Sequence, residues 1–161
     1  MLAYVFWHRP RPDVGLGAYE DAQRAFHSSL EATSASFRLA ELPFGDGGSG
    51  YEDWYLVENW EGLGNLNRTA VDPARRPGHD LAASQSADGW GAIYSPVRGP
   101  ASIPDGADWL HKPRGESSVS FIASLAETTV WQRQMVLGPA PEFCAAVSAS
   151  DSRERIWPRV P

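Results

Sequence analysis

Between Tyr51 and Trp60 the chain carries aromatic, acidic and β-branched residues with no Gly or Pro, directly after the turn-forming run Asp46-Gly-Gly-Ser-Gly50. That composition predicts a strand. At period two, Glu52, Trp54, Leu56, Glu58 and Trp60 share one face, and Tyr51, Asp53, Tyr55, Val57 and Asn59 share the other. Neither face is purely polar, so the strand is expected at the centre of a sheet covered on both sides. Acidic residues on a tryptophan-bearing face, Glu52 and Glu58, are unusual there.

The other segments follow from the same patterns. Leu2–His8 is a nearly continuous apolar run stopped by Arg9-Pro-Arg-Pro12, the mark of a buried strand. Tyr19, Ala22, Phe26, Leu30 and Thr33 recur at helical spacing, predicting a helix over about 18–33. Ser36–Leu42 alternates and ends at Pro43, a second strand. Leu63, Leu66 and Ala70 place a helix over 61–71, weakened by Gly62 and Gly64. His79–Gln85 adds helical turns, and Trp90–Val97 a strand expected at an edge because Pro96 lacks a donor.

After a loop from Gly99 to Asp108 the pattern restarts. Trp109-Leu-His-Lys-Pro-Arg114 echoes Trp7-His-Arg-Pro-Arg11, Ser120–Leu125 echoes Ala25–Leu30, and Arg133–Pro139 echoes Phe37–Pro43. Three echoes in one order predict a shortened internal repeat. Glu142–Val147 is its last strand, and the segment from Ser148, with Arg153, Glu154, Arg155 and two late prolines, reads as a frayed tail.

Composition narrows the partners. A chain of 161 residues is expected to form a single domain over 1–161, comprising a first unit (1–98), a second repeat (106–147) and the tail (148–161). A net charge of −6 argues against nucleic acid or an anionic membrane. No apolar run approaches the ~18 residues of a membrane span, and no secretion signal is evident. The single Cys144 excludes an intrachain disulfide and suits a reducing, cytoplasmic setting.

The order β-α-β-β-α-β followed by a truncated copy resembles the dimeric α/β-barrel superfamily, which includes antibiotic-biosynthesis monooxygenase-like, EthD-like and NIPSNAP-like proteins. The stretch Trp131–Cys144 is also similar to one in uncharacterised bacterial proteins. The resemblance implies an α+β fold made of a ferredoxin-like βαββαβ unit and a truncated second repeat. It also implies a homodimer, and a sheet–helix cavity for a small hydrophobic or aromatic molecule. Some lineages bind haem instead; His27 and His79 are the candidate axial ligands here, without a surrounding propionate-binding pattern.

Candidate chemistry falls on few residues. His8 and His111 each stand near a strand end before a basic residue, Pro and Arg, which suits an acid/base pair or an anion site with Arg9 and Lys112. The alternative is that they are satisfied polar caps. Trp54 and Trp60 offer an apolar wall for a substrate and Glu58 a base with raised pKa, unless Glu58 is paired to an arginine such as Arg38 or Arg133. The histidine spacing fits no metal motif and the glycines fit no nucleotide loop, so no cofactor is called for. Cys144 lacks the context of a nucleophile, and Glu142 gains interest only if the final strand reaches a cavity. Two function classes follow. One is a cofactor-independent enzyme performing oxygenation, isomerisation or cyclisation with His8, Glu58 or His111. The other is a non-catalytic ligand-binding or assembly protein.

Overall fold

The computed structural model describes residues 1–126, 129–136 and 139–158. Leu137 and Gly138, within the third echo, and the last three residues of the tail lie outside them. The chain runs β1 (Leu2–Pro10), α1 (Leu16–Ser29), β2 (Thr33–Leu39), β3 (Gly50–Val57), α2 (Trp60–Ala70), α3 (Arg76–Gln85) and β4 (Ser86–Arg98). It continues through β5 (Gly106–Leu110), α4 (Ser118–Ser124), β6 (Val130–Val136), β7 (Phe143–Val147) and β8 (Arg153–Trp157).

Among the described residues the strands form one antiparallel sheet of eight, in the order β5-β7-β6-β4-β1-β3-β2-β8. Its two ends curl toward each other. Arg153 of β8 donates to the carbonyls of Pro104 (2.6 Å) and Asp105 (2.7 Å) just before β5, and Arg155 pairs with the Asp105 carboxylate at 2.7 Å. The result, among the described residues, is a nearly closed, barrel-like sheet with four helices. This corrects the expected ferredoxin-like unit with a truncated second repeat. Strands from the later half extend the sheet beyond β4, the segment expected to fray supplies β8 against β2, and side chains from both halves fill one interior.

β1 and β3 are antiparallel neighbours in the middle of the sheet, in register from Leu2↔Val57 to His8↔Tyr51. β4 is a second correction: despite Pro96 it is internal, between β1 and β6. The ladder shifts between Pro96 and Arg98, so the proline sits at an irregularity where no regular donor is required. α2 starts where the Asn59 side chain accepts from the Gly62 amide at 2.9 Å, an N-cap. Gly45, Gly47 and Gly48 take positive φ (75°, 69° and 80°) in the turn before β3.

The concave face is the core. Trp7, Trp54, Trp131, Phe37, Tyr94 and Cys144 are fully buried there, with Trp109 packed against them. Trp109 meets Trp7 edge-on at 4.9 Å between ring centroids, an arrangement worth about 0.5–1.5 kcal/mol beyond area burial. At the centre lies Glu52, wholly buried. Its Oε2 accepts from the indoles of Trp7 (3.0 Å) and Trp109 (2.7 Å). Its Oε1 accepts from the Trp54 indole (2.6 Å) and from Arg153 Nη2 (2.6 Å) and Nε (3.2 Å). Among the described residues, no helix is long and apolar enough to cross a membrane.

Candidate functional site

The other, helix-covered face carries a second buried carboxylate. Alternation along β3 turns Asp53 away from the core, between Tyr51 and Tyr55, and β1 places His8 on the same face. Asp53 Oδ2 lies 3.0 Å from His8 Nε2, 3.2 Å from His27 Nε2 on α1, and 3.3 Å from the Tyr55 hydroxyl. The outer nitrogen of each imidazole has its own partner. His8 Nδ1 meets the Tyr19 hydroxyl, and His27 Nδ1 meets Ser34 Oγ at 3.0 Å. The Tyr19 hydroxyl continues to Ser86 Oγ at 3.0 Å.

Asp53, His8, His27, Tyr19 and Tyr55 are all buried. Burial opposes charge on Asp53, but the flanking imidazoles prevail and hold its carboxyl well below the usual carboxylate range. Burial, reinforced by the Asp53 charge, pushes the Tyr55 phenol well above its ordinary value. The Tyr19 phenol is raised chiefly by burial. Tyr51 is pushed up to about 12 by burial and by its bond to Glu20, itself paired with Arg38 at 2.6 Å. Asp53 Oδ1 and the neighbouring Ser36 Oγ are buried without a hydrogen-bond partner among the described residues. A carboxylate fully used on one oxygen and unused on the other is poorly explained by stability alone.

An apolar groove of about 700 Å³ runs beside this network. Tyr4, Phe6, Tyr55 and Ile93 form its floor, Trp60, Leu63 and Leu66 of α2 one wall, and Phe26, Leu30 and His79 the other. The floor is flat because β4 has no side chain at two positions: a Cβ on Gly91 would lie 2.7 Å from the Tyr4 ring, and one on Gly89 2.3 Å from Phe6. A smaller cavity of about 330 Å³, lined by Ser86, Gln23 and Asp88, shares Phe6, Phe26 and His79 with the groove. A larger depression of about 970 Å³, which shares Leu66 with the groove, is lined by exposed Glu31, Glu58 and Glu61. It offers a ligand solvated carboxylates rather than an aromatic wall, so the groove is the better small-molecule site.

The structure separates the residues expected to act together. His8 is in the buried network. His111 lies just past β5, exposed, and Glu58 is exposed on the way into α2. Arg9 clamps the glycine turn, donating to Asp46 (2.6 Å) and Gly47 O (2.5 Å), and pairs with Asp88 at 3.6 Å. Trp54 belongs to the filled core. Trp60, 52% exposed, lines the groove on the opposite side of the sheet. The tryptophan-bearing face of β3 is therefore core, and the face of Tyr51, Asp53 and Tyr55 carries the candidate site.

Asp53, Tyr19, Tyr55 and Ser86 were not singled out by sequence reasoning. One signal was present: Asp53 is a charge in the middle of a strand expected to be covered on both faces. Glu142 accepts from the Lys112 amide at 3.1 Å and Cys144 is buried, its thiol raised chiefly by burial. Among the described residues, no group of three or more His, Cys, Asp or Glu side chains is placed to hold a metal ion. No family model, no curated protein and no solved structure matches this chain.

Proposed function

We propose that this chain binds a small, apolar, aromatic molecule in the groove between the helix-covered face of the sheet and helices α1, α2 and α3. The observation that carries the reading is the aromatic floor of Tyr4, Phe6 and Tyr55, in which Tyr4 and Phe6 lie over two side-chain-free positions of β4, with a buried charged network directly behind Tyr55. Flat apolar walls with a few convergent polar groups are what small-molecule sites share. A reducing, cytoplasmic setting is part of this proposal, on the strength of the single buried Cys144.

The test is methyl NMR with nitrobenzene as a minimal aromatic probe. Saturable shifts are expected at Leu63, Ile93 and Met135, all lining the groove. Leu63→Trp, which fills it, should weaken binding about tenfold or more, or about 1.4 kcal/mol. Shifts confined to other methyls, or none that saturate, would end the proposal.

A second reading is favoured by the connection between Asp53, His8 and Tyr19. In it the bound molecule is also transformed, by a cofactor-independent isomerisation, cyclisation or oxygenation in which the network moves a proton.

A further inference from the structure

Asp53, His8, Tyr19 and Ser86 form an unbroken string of polar atoms from the middle of the sheet to the wall of the smaller cavity. The first three are buried, and Ser86, half-buried, is the member that lines the cavity. Beyond its 3.0 Å contact with Tyr19, Ser86 Oγ lies 3.1 Å from the Ala82 carbonyl.

Counting hydrogens along the string distinguishes two states. With His8 neutral, Nε2–H donates to Asp53, Tyr19 donates to Nδ1, and the one hydrogen of Ser86 has two acceptors within reach, Tyr19 and Ala82 O. With His8 protonated, Nδ1–H donates to Tyr19, Tyr19 donates to Ser86, and every donor points toward the cavity. Ionised Asp53 sits 3.0 Å from the imidazole, so the protonated state is charge-compensated inside the fold. The titratable groups facing His8 are Tyr19 from α1 and Tyr51 and Asp53 from β3. His27 shares Asp53, while His79 and Asp88 line the cavity.

We propose that the groove and the smaller cavity beside it, which share Phe6, Phe26 and His79, together take a ligand bearing an acidic hydroxyl, a phenol or enol on an apolar aromatic frame. The frame lies in the groove, the hydroxyl reaches Ser86 in the cavity, and the ligand is bound as the anion with its proton stored on His8. The ligand O–H bond breaks and its proton passes to Ser86 Oγ. The Ser86 proton moves to the Tyr19 oxygen, and the Tyr19 proton to His8 Nδ1. One proton is transferred overall, no electrons are exchanged, and the products are the bound oxyanion and an imidazolium held by Asp53. The Ser86 hydroxyl then donates to the oxyanion. This rests on the groove being a ligand site and specifies which ligands it prefers.

The probe is 4-nitrophenol, whose anion absorbs visible light and whose neutral form does not; nitrobenzene is the control lacking the hydroxyl. At a pH where the free probe is mainly neutral, the bound probe should show the anion band, its ionisation favoured at least about tenfold, one pKa unit. Ser86→Ala should abolish that shift while nitrobenzene still binds, and Ser86→Thr should restore it. His8 should gain a proton on probe binding at constant pH, read from its imidazole nitrogens by NMR in the native sequence. A bound probe that titrates as it does in water overturns the inference while nitrobenzene binding leaves the groove intact. So does a shift that survives Ser86→Ala. If neither probe saturates, both readings fall.

Discussion

Replacing Glu52 by Gln changes one atom and should be among the most damaging substitutions available to this fold. The carboxylate accepts hydrogen bonds from three indoles and from two nitrogens of Arg153, all at 2.6–3.2 Å. A glutamine has one oxygen to offer. If it faces Arg153 and Trp54, the amide NH2 meets the Trp7 and Trp109 donors head-on. Each buried donor left unpaired costs about 1–3 kcal/mol. Arg153, 7% exposed, also loses its counter-charge, and breaking a buried ion pair from one side costs about 3–5 kcal/mol. Arg153 keeps the Pro104 and Asp105 carbonyls and its 3.3 Å approach to the Phe37 ring, so the lower end applies to that part.

These contributions overlap, and together they come to roughly 5 kcal/mol, a large share of the about 5–15 kcal/mol of a typical domain. For a chain of this size the melting temperature should fall by roughly 10–20 °C. Urea denaturation followed by far-UV circular dichroism measures the free energy, and near-UV dichroism reports the tryptophan cluster. Arg153→Met in the Glu52→Gln background removes the stranded charge but not the unpaired indoles, so it should recover only part of the loss. A single-variant cost below about 1 kcal/mol, typical of an ordinary substitution, would refute the reasoning. So would a double variant no more stable than the single.

Gly91→Ala puts a Cβ 2.7 Å from the Tyr4 ring and should drive that ring into the groove, lowering nitrobenzene affinity about tenfold, or about 1.4 kcal/mol; unchanged affinity by calorimetry refutes the flat-floor argument. Asp53 is held below its ordinary value in the fold, so its ionisation favours folding above the unfolded-chain value of about 3.9, and that contribution is lost as pH falls toward the folded value. Asp53→Asn should therefore flatten the fall of stability below about pH 4, read from urea midpoints, and an unchanged slope counts against the two imidazoles. Exposed Glu58 and His111 should each tolerate Gln with a stability change within about 0.5 kcal/mol and no effect on probe binding. We also expect a two-fold homodimer burying at least about 1,200 Å² in total. A monomer in sedimentation at micromolar concentration contradicts it.

Local pattern made β1 and β3 legible as strands and placed Asp53 and Tyr55 on one side, Trp54 and Glu52 on the other. It did not say which side would be core. Both faces of β3 carry aromatic rings, and helix packing on one of them is decided by long-range contacts that periodicity does not encode. β8 was hidden for a related reason. Arg-Glu-Arg-Ile-Trp has the composition of a solvated tail, and it is distant partners, Glu52 101 positions away, the face of Phe37 and the carbonyls of Pro104 and Asp105, that make Arg153 a core residue. The echo between Trp7-His8 and Trp109-Leu-His111 divides the same way. The two tryptophans converge on one oxygen of Glu52, while the two histidines end in different surroundings.

Residues 52 and 53 put two buried carboxylates side by side in sequence and on opposite faces of one strand, and their partners separate their roles. Glu52 is surrounded by donors that do not change state near neutrality: indole N–H groups cannot dissociate there and a guanidinium stays charged. Both oxygens are occupied, so neither is left to meet a ligand. Asp53 is flanked by two imidazoles, groups that exchange protons, and by the Tyr55 hydroxyl, and its Oδ1 has no hydrogen-bond partner among the described residues. A carboxylate used only for cohesion gains nothing from titratable partners, because each adds a state in which the network is worse paired. The two histidines around Asp53, against three tryptophans and an arginine around Glu52, are the reason we propose the helix-covered face as the ligand site and assign the barrel interior to stability.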